Sequence, residues 1–258
     1  MSGELTFAFV DDVGFAAASD RAVALHALPT PKAVGPLLEM ALLAKATPSL
    51  HALSAEIARS HPLGQLLSAE QPSIGLHLAP TQGVVILGDD PLSADDRTRL
   101  TIAAKRAAIG AGFDNRTAGQ LTAAMFEMLD NLVEHSQAPA TGRVAYQARG
   151  QSFTFVVADR GIGALTSLRT NSKFASLGAD EDALPLVIQP GCSRHNELGR
   201  GQGFEDLFRG LANHNGHLRF RSGTAAVLID GRSSAAIQPK VKTKADLPGF
   251  FASVTCEL

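Results

Sequence analysis

The clearest hydrophobic periodicity in the chain lies between residues 93 and 136, where apolar positions recur at the spacing of two consecutive helices. The first predicted helix starts after Ser93, a residue type that suits an N-cap, and ends at about Gly110. The second predicted helix spans residues 117–136. Its apolar stripe comprises Leu121, Met125, Met128 and Leu132.

Strands are predicted on both sides of this helix pair. Residues 143–149 and 153–158, which meet at a turn around Gly150, predict two consecutive strands. A Gly-rich stretch, 159–203, is predicted to be irregular, and residues 204–211 repeat apolar positions at helical spacing. The remaining predicted strands are 5–10, a hairpin of 74–78 and 84–87, and three closing strands at 217–221, 225–229 and 251–258.

This order of elements predicts the α+β class, as a two-layer α/β sandwich with helices on one face of an antiparallel or mixed sheet. The Gly-Asp-Asp-Pro sequence at 88–91 is typical of a boundary loop. We therefore expect two parts. Residues 1–92 form an N-terminal α/β region to which the sequence assigns no role, and residues 93–258 form a C-terminal domain.

Composition excludes several classes of protein. The chain has 258 residues, of which 45% are hydrophobic, and its net charge of −2 divides into −5 for residues 1–100 and +3 for residues 101–258. No global positive field is therefore expected to attract nucleic acid or anionic membranes. The amino terminus lacks the basic segment of a signal peptide, and no apolar run reaches the ~20 residues of a transmembrane helix. Cys192 and Cys256 fit neither a disulfide framework nor a zinc site, so we expect a soluble, cytoplasmic protein.

Three polar residues recur every four positions in the second helix of the pair. Glu127, Asn131 and His135 fan over about 80° of one face at 100° per residue. They flank the apolar stripe, so they lie at the margin of a face that is predicted to be buried. A solvated flank would show the same spacing, and that alternative stays open.

A second motif follows the strand predicted at 153–158. Asp159-Arg160-Gly161-Ile162-Gly163 places a carboxylate at a strand end, followed by two glycines. This arrangement suits a hydrogen bond from a ligand amino group, with the backbone closing on a flat ligand. A tight turn with an Asx-type hydrogen bond is the alternative.

A third motif precedes the helix predicted at 204–211. Gly199-Arg200-Gly201-Gln202-Gly203-Phe204 could wrap backbone N–H groups around an anion, with Arg200 reaching phosphate oxygens. Neither a P-loop nor a dinucleotide-binding fingerprint fits this sequence. A flexible linker is the alternative.

Taken in this order, the three motifs resemble those of the Bergerat-fold (GHKL, histidine kinase-like) ATPases, the superfamily of gyrase B, the large heat-shock chaperones, histidine kinases and MutL. Glu127-x-x-x-Asn131-x-x-x-His135 matches the N box, and the other two motifs match the two glycine boxes. The resemblance covers about residues 93–258 and is nearest to the anti-sigma serine-kinase branch. It implies that residues 164–198 form an ATP lid.

The resemblance also implies roles for individual residues. Asn131 would coordinate the Mg²⁺ that bridges the phosphates, Glu127 would be the general base, and Asp159 would accept from the adenine amino group. The other residues implied in ATP binding give the base room or hold the phosphates: Gly161, Gly163, Arg200, Gly201 and Gly203.

The sequence departs from the family in two respects. The family places a threonine beside adenine near the start of the last strand, where this chain offers only Ser253 or Thr255 as replacements. A histidine phospho-acceptor box is missing, so we expect no autophosphorylation on histidine; His26, His51 and His61 are interpreted as surface or packed residues. His214 and His217 suggest a helix C-cap with left-handed Gly216 more than a metal site.

The leading hypothesis is a Mg·ATP-binding regulatory protein that hydrolyses ATP or transfers its γ-phosphate to a protein partner. The alternative is a non-catalytic, nucleotide-gated interaction module, in which ATP orders residues 164–198 and switches a protein-binding surface. A DNA-acting ATPase is a third and weaker hypothesis, since no basic groove is evident and no transducer segment follows residue 258. The partner is not identified by the sequence, and a homodimer, common in these families, stays open.

Overall fold

Six antiparallel strands form one sheet in the order β1-β2-β3-β4-β6-β5. The computed structural model describes residues 3–21, 27–68, 75–187, 215–230 and 240–258. Within these ranges the strands are β1 (Gly75–Leu78), β2 (Gln82–Ile86), β3 (Arg143–Arg149), β4 (Ser152–Asp159), β5 (His217–Asp230) and β6 (Lys240–Glu257).

The four neighbouring strands from β2 to β6 carry apolar side chains on both faces. Val85, Val144, Val157 and Ala252 are paired in register across these strands and are fully buried on one face. The adjacent row, with Val84, Ala145 and Val156, is equally buried on the opposite face. Because successive strand residues point to opposite faces, both faces need a cover.

Two long helices cover the first of these faces. Helix α5 (Ala94–Gly110) begins at Ser93, whose hydroxyl accepts from the Asp96 N–H at 3.1 Å. Helix α6 (Asn115–His135) begins at Asp114, which accepts from two N–H groups of its first turn. The residues of α6 that are buried against the sheet include the whole predicted stripe: Leu121, Met125, Met128 and Leu132.

Four N-terminal helices cover the opposite face. They are α1 (Phe7–Ala18), α2 (Val34–Ala46), α3 (His51–Arg59) and α4 (Gly64–Ser68). Eleven of the 13 residues of α2 are buried, so this helix is the centre of the N-terminal layer. The sheet of the predicted C-terminal domain therefore continues into the hairpin β1–β2, and the N-terminal helices pack directly on it. The division at residue 92 stays a prediction.

Two short helices follow β4. They are α7 (Gly163–Arg169) and α8 (Asp180–Val187). The Asp180 carboxylate accepts from the backbone N–H of Thr224 at 3.0 Å and from its hydroxyl at 3.2 Å. These bonds attach the start of α8 to strand β5.

The α+β class, the helix pair and the central strands agree with the sequence predictions, whereas four other predictions were wrong. Residues 7–18 form a helix instead of a strand at 5–10, because Thr6 caps it and Val10 and Val13 share one buried face. The stretch predicted to be irregular contains α7 and α8 in its described part. The predicted strands 217–221 and 225–229 are one strand with register shifts around Gly223. The left-handed residue before β5 is Asn215 (φ 44°), not Gly216.

The predicted helix 204–211 lies outside the described residues. Among the helices that the structure does describe, none has both the length and the apolarity to cross a bilayer.

A buried ionic cluster connects the N-terminal layer to the sheet. Glu39 of α2 is fully buried and accepts from Arg219 Nε and Nη2, both at 2.7 Å, and from Arg221 Nη1. Arg219 also donates to Asp11 of α1 at 2.6 Å, and Lys244 of β6 donates to the same carboxylate at 2.5 Å. Each buried charge thus has partners of opposite sign, which offset part of the desolvation cost.

Replacing Glu39 by Gln is expected to lower the free energy of unfolding by about 3–5 kcal/mol, because it removes the buried carboxylate that pairs with Arg221 and leaves Arg219 with Asp11 alone. Denaturant unfolding measures the change. Glu56→Gln is the matched control, since the Glu56–Arg59 ion pair is on the surface of the same layer and is expected to contribute at most ~1 kcal/mol. Equal losses in the two variants would contradict a role of the cluster in stability.

Candidate functional site

Asp159, the last residue of β4, is a carboxylate enclosed by backbone. Its side chain follows the alternation of Phe155 and Val157, so it lies on the α6 face of the sheet. The residue is 2% exposed. Asp159 Oδ1 accepts from the Gly161 N–H at 2.6 Å, and the carboxylate also accepts from the N–H of Phe250 on β6.

Burial raises the pKa of the Asp159 carboxyl to about 7, although the N–H groups of Gly161 and Phe250 act in the opposite direction. Desolvation disfavours the charged form, whereas hydrogen bonds from N–H groups favour it. The carboxyl therefore changes its protonation state close to neutral pH.

The end of helix α6 contacts the turn after Asp159 directly. The carbonyl of Ser136 accepts from the Ile162 N–H at 2.9 Å. A Cβ at position 161 would lie 2.0 Å from the same carbonyl oxygen, so only glycine fits there. Arg160 N–H donates to Thr141 Oγ1 at 2.9 Å, which fixes the other side of the turn. Helix α6 and the Asp159 turn are thus held together by backbone contacts.

The polar residues of α6 lie upstream of this contact. Asn131 and His135 are half-buried and Glu127 is exposed. At 1.5 Å per residue, Asn131 lies about 7.5 Å along the helix axis from Ser136, and Glu127 about 13.5 Å. The fold therefore brings two of the three sequence motifs to one end of the sheet, with Asn131 nearer to Asp159 than Glu127 along α6.

The glycine at position 163 has a left-handed backbone and a close neighbour. Gly163 has φ 73°, and a Cβ there would lie 2.9 Å from Ser222 Oγ. Ser222 is 1% exposed; its hydroxyl accepts from the Ala164 N–H at 2.9 Å and donates to the Gly249 carbonyl at 2.6 Å. Both glycines of the Asp159 motif are thus explained by close packing.

The remaining predicted residues differ in what the structure says of them. Arg200, Gly201 and Gly203, the predicted phosphate-binding set, lie outside the described residues. Of the predicted lid, 164–198, the structure describes residues up to 187, which form most of α7 and all of α8.

The two candidate replacements for the adenine-side threonine lie on the face of the sheet opposite Asp159. Ser253 Oγ is close to Gly35 of α2, and Thr255 shares a 2.8 Å hydrogen bond with Thr154. Both therefore belong to the side of the N-terminal layer. Ser222 has its hydroxyl on the same face as Asp159, and sequence reasoning missed it. Ser222 follows Phe220 by two residues, so strand alternation puts both side chains on the same face. This alternation is the sequence pattern that could have indicated Ser222.

The histidines of the described part have no cluster of ligands around them. His51 is exposed, and the Nδ1 of buried His61 accepts from the Leu63 N–H at 3.1 Å. No group of three His, Cys, Asp or Glu side chains in the described ranges could hold a metal ion. Mg²⁺ needs no such group, because it commonly takes one or two protein oxygens and completes its shell with phosphates and water. Asn131 offers such an oxygen.

No protein-family model matches the chain, and neither a curated protein nor a solved structure matches it.

The stability of the protein is expected to depend on pH through Asp159. The pKa of this carboxyl is about 7 in the folded protein against an ordinary 3.8, so the folded state binds the proton more tightly. Its contribution to stability is full below pH ~4 and is lost as the pH rises through ~7, with an expected loss of about 4 kcal/mol.

Asp159→Asn removes this titration. The difference in unfolding free energy between wild type and variant should shift in favour of the variant between pH 4 and pH 8, as measured by urea unfolding at each pH. A difference that stays constant over this range would show that Asp159 is not the buried, titrating group.

Proposed function

We propose that the chain is a Mg·ATP-binding regulatory protein of the Bergerat type, which hydrolyses ATP or transfers its γ-phosphate to a protein partner. The observation that supports this proposal best is the buried Asp159 carboxylate, placed by β4 against the end of the helix that carries Asn131 and Glu127. The order and spacing of these residues follow the family pattern.

Asp159 would recognise adenine. A carboxylate has about four lone-pair directions, of which the N–H groups of Gly161 and Phe250 take two. The remaining capacity suits the amino group at position 6 of adenine. Since an added donor favours the charged form, ATP binding near pH 7 would release a proton from Asp159.

Asn131 would supply an amide oxygen to the Mg²⁺ that accompanies the phosphates. This ion, when bound, neutralises the charge that develops on the transferred phosphoryl group. The half-buried position of Asn131 beside the apolar stripe of α6 restricts its rotamers, and a restricted ligand loses less entropy on binding.

Glu127 would act as the general base. One helical turn before Asn131, it would accept the proton of the attacking water or partner hydroxyl while that oxygen bonds to the γ-phosphorus and ADP departs. Its exposed position is compatible with a substrate hydroxyl that arrives from a separate protein.

A nucleotide-gated interaction module is the second candidate. The observation that favours it is the attachment of α8 to β5 through Asp180 and Thr224, which connects residues on either side of 188–214. Nucleotide binding next to these elements would then change a surface for a protein partner or a second copy of the chain, without turnover.

Glu127→Gln is expected to lower turnover of γ-labelled ATP by about 10²-fold or more, because the proton acceptor is lost, with ATP affinity unchanged within about twofold. Released phosphate and labelled proteins are measured with and without cell extract. Glu134→Gln, at another exposed glutamate of α6, is the matched control and should keep full turnover.

Unchanged turnover in Glu127→Gln would exclude this residue from the mechanism. Tight ATP binding by a wild type without turnover above background would favour the interaction module instead.

Asn131→Ala is expected to remove the Mg²⁺-dependent part of the affinity for ATP and to leave binding in EDTA unchanged. Titration calorimetry with and without Mg²⁺ measures both, and the expected weakening is on the order of tenfold. If the variant and wild type gain equally from Mg²⁺, Asn131 is not a ligand.

A further inference from the structure

The hydroxyl of Ser222 connects the two backbone segments on either side of Asp159. It accepts from Ala164 N–H, at the end of the turn that follows β4, and donates to the Gly249 carbonyl of β6. The next residue of β6, Phe250, is the one whose N–H donates to the Asp159 carboxylate. One hydroxyl therefore ties the turn to the strand that hydrogen-bonds the carboxylate.

The two segments can approach only because glycines stand at the contacts. A Cβ at Gly163 would lie 2.9 Å from Ser222 Oγ, and a Cβ at Gly249 would lie 2.3 Å from the Asp159 carbonyl oxygen. Both glycines have positive φ, of 73° and 87°. Such close packing transmits a displacement at Ser222 to Asp159.

The strand that carries Ser222 is itself fixed from the opposite face. Arg221 points to the N-terminal layer, where it donates to Glu39 and to the Ala245 carbonyl. Immediately after Ser222, Gly223 (φ 54°) pairs with Leu247, and the register of β5 with β6 shifts on either side of it. Ser222 therefore lies beside a register shift of the β5–β6 pair, on a strand whose opposite face is held by a buried ionic contact.

We propose that Ser222 is the positioning residue for purine selection: its hydroxyl holds the Asp159 turn against β6, so that the carboxylate presents its free lone pairs to an amino group. The inference rests on the proposed function. A 6-amino purine donates to this carboxylate, whereas the 6-oxo group of guanine presents a second acceptor and is repelled. Selection of ATP over GTP depends on the carboxylate being held in one orientation, because a turn that could move would let the carboxylate retreat from the oxo group.

The test compares Ser222→Ala with Ser253→Ala. Ser253 is the matched control because it is equally buried (3% against 1% exposed) and lies on the opposite face of the sheet. Ser222→Cys is the second variant, which keeps the side-chain volume and weakens the hydrogen bonds. Dissociation constants for Mg·ATP and Mg·GTP are measured by calorimetry, together with amide hydrogen exchange of the nucleotide-free proteins.

In Ser222→Ala the affinity for ATP is expected to fall about tenfold, the value of one buried hydrogen bond, while the affinity for GTP falls less or rises. The ATP preference is expected to be intermediate in Ser222→Cys and unchanged in Ser253→Ala. In the nucleotide-free Ser222→Ala protein, exchange should increase at Phe250 and Gly161 but not at the centre of β4.

Equal loss of ATP and GTP binding in both alanine variants would overturn the proposal, because Ser222 would then contribute only stability. So would an unchanged ATP preference in Ser222→Ala. If the wild-type protein binds neither nucleotide, the proposed function is wrong. The hydrogen-exchange data then test separately whether Ser222 positions Asp159. Selective exchange at Phe250 and Gly161 supports the positioning of Asp159, and unchanged exchange excludes it.

Discussion

The sheet is apolar on both faces, and the rest of the structure depends on covering both. Four adjacent strands bury Val85, Val144, Val157 and Ala252 under α5 and α6, and the next row is buried under the N-terminal helices. A sheet of this kind cannot leave one face in water, because the exposed valines and alanines would lose their transfer free energy. The N-terminal helices are therefore a structural requirement of the sheet.

Covering the sheet on both sides also fixes where polar chemistry can occur. At the end of β4 the strand turns away at Gly161, and Asp159 meets the end of α6 and the backbone of β6. Next to it, on β5, Arg221 and Ser222 point to opposite faces, one to the ionic cluster of Glu39 and the other to the Asp159 turn. The N-terminal layer and the candidate site thus share one strand.

The sequence predicted best those elements whose formation depends on neighbouring residues, such as the helix pair α5 and α6. Ser93 and the apolar stripe of α6 are readable because capping and helical periodicity are properties of neighbouring residues. The same reasoning could not show that α2 would be buried on nearly all sides or that Glu39 would meet Arg219 and Arg221, since these contacts join residues about 180 positions apart. Of the candidate site, Asp159 and its glycines followed from a motif, whereas the hydrogen bonds of Ser222 join β5 to α7 and β6, which lie far apart in the sequence, and strand alternation is a weak signal for them.

The desolvation cost of the Asp159 carboxylate helps to distinguish a ligand site from a simple Asx turn at residues 159–163. An Asx turn needs one acceptor for the Gly161 N–H, and asparagine would supply it without the desolvation cost of a buried charge. Here burial is costly enough to move the pKa of the carboxyl to about 7, and the two N–H groups do not restore it to its ordinary value. If the turn had no ligand, replacing this carboxylate by an uncharged side chain would increase stability at neutral pH. Substitutions at functional sites often increase stability in this way. An Asx turn alone does not require this cost, so the buried carboxylate supports the proposed contact with a donor from outside the fold.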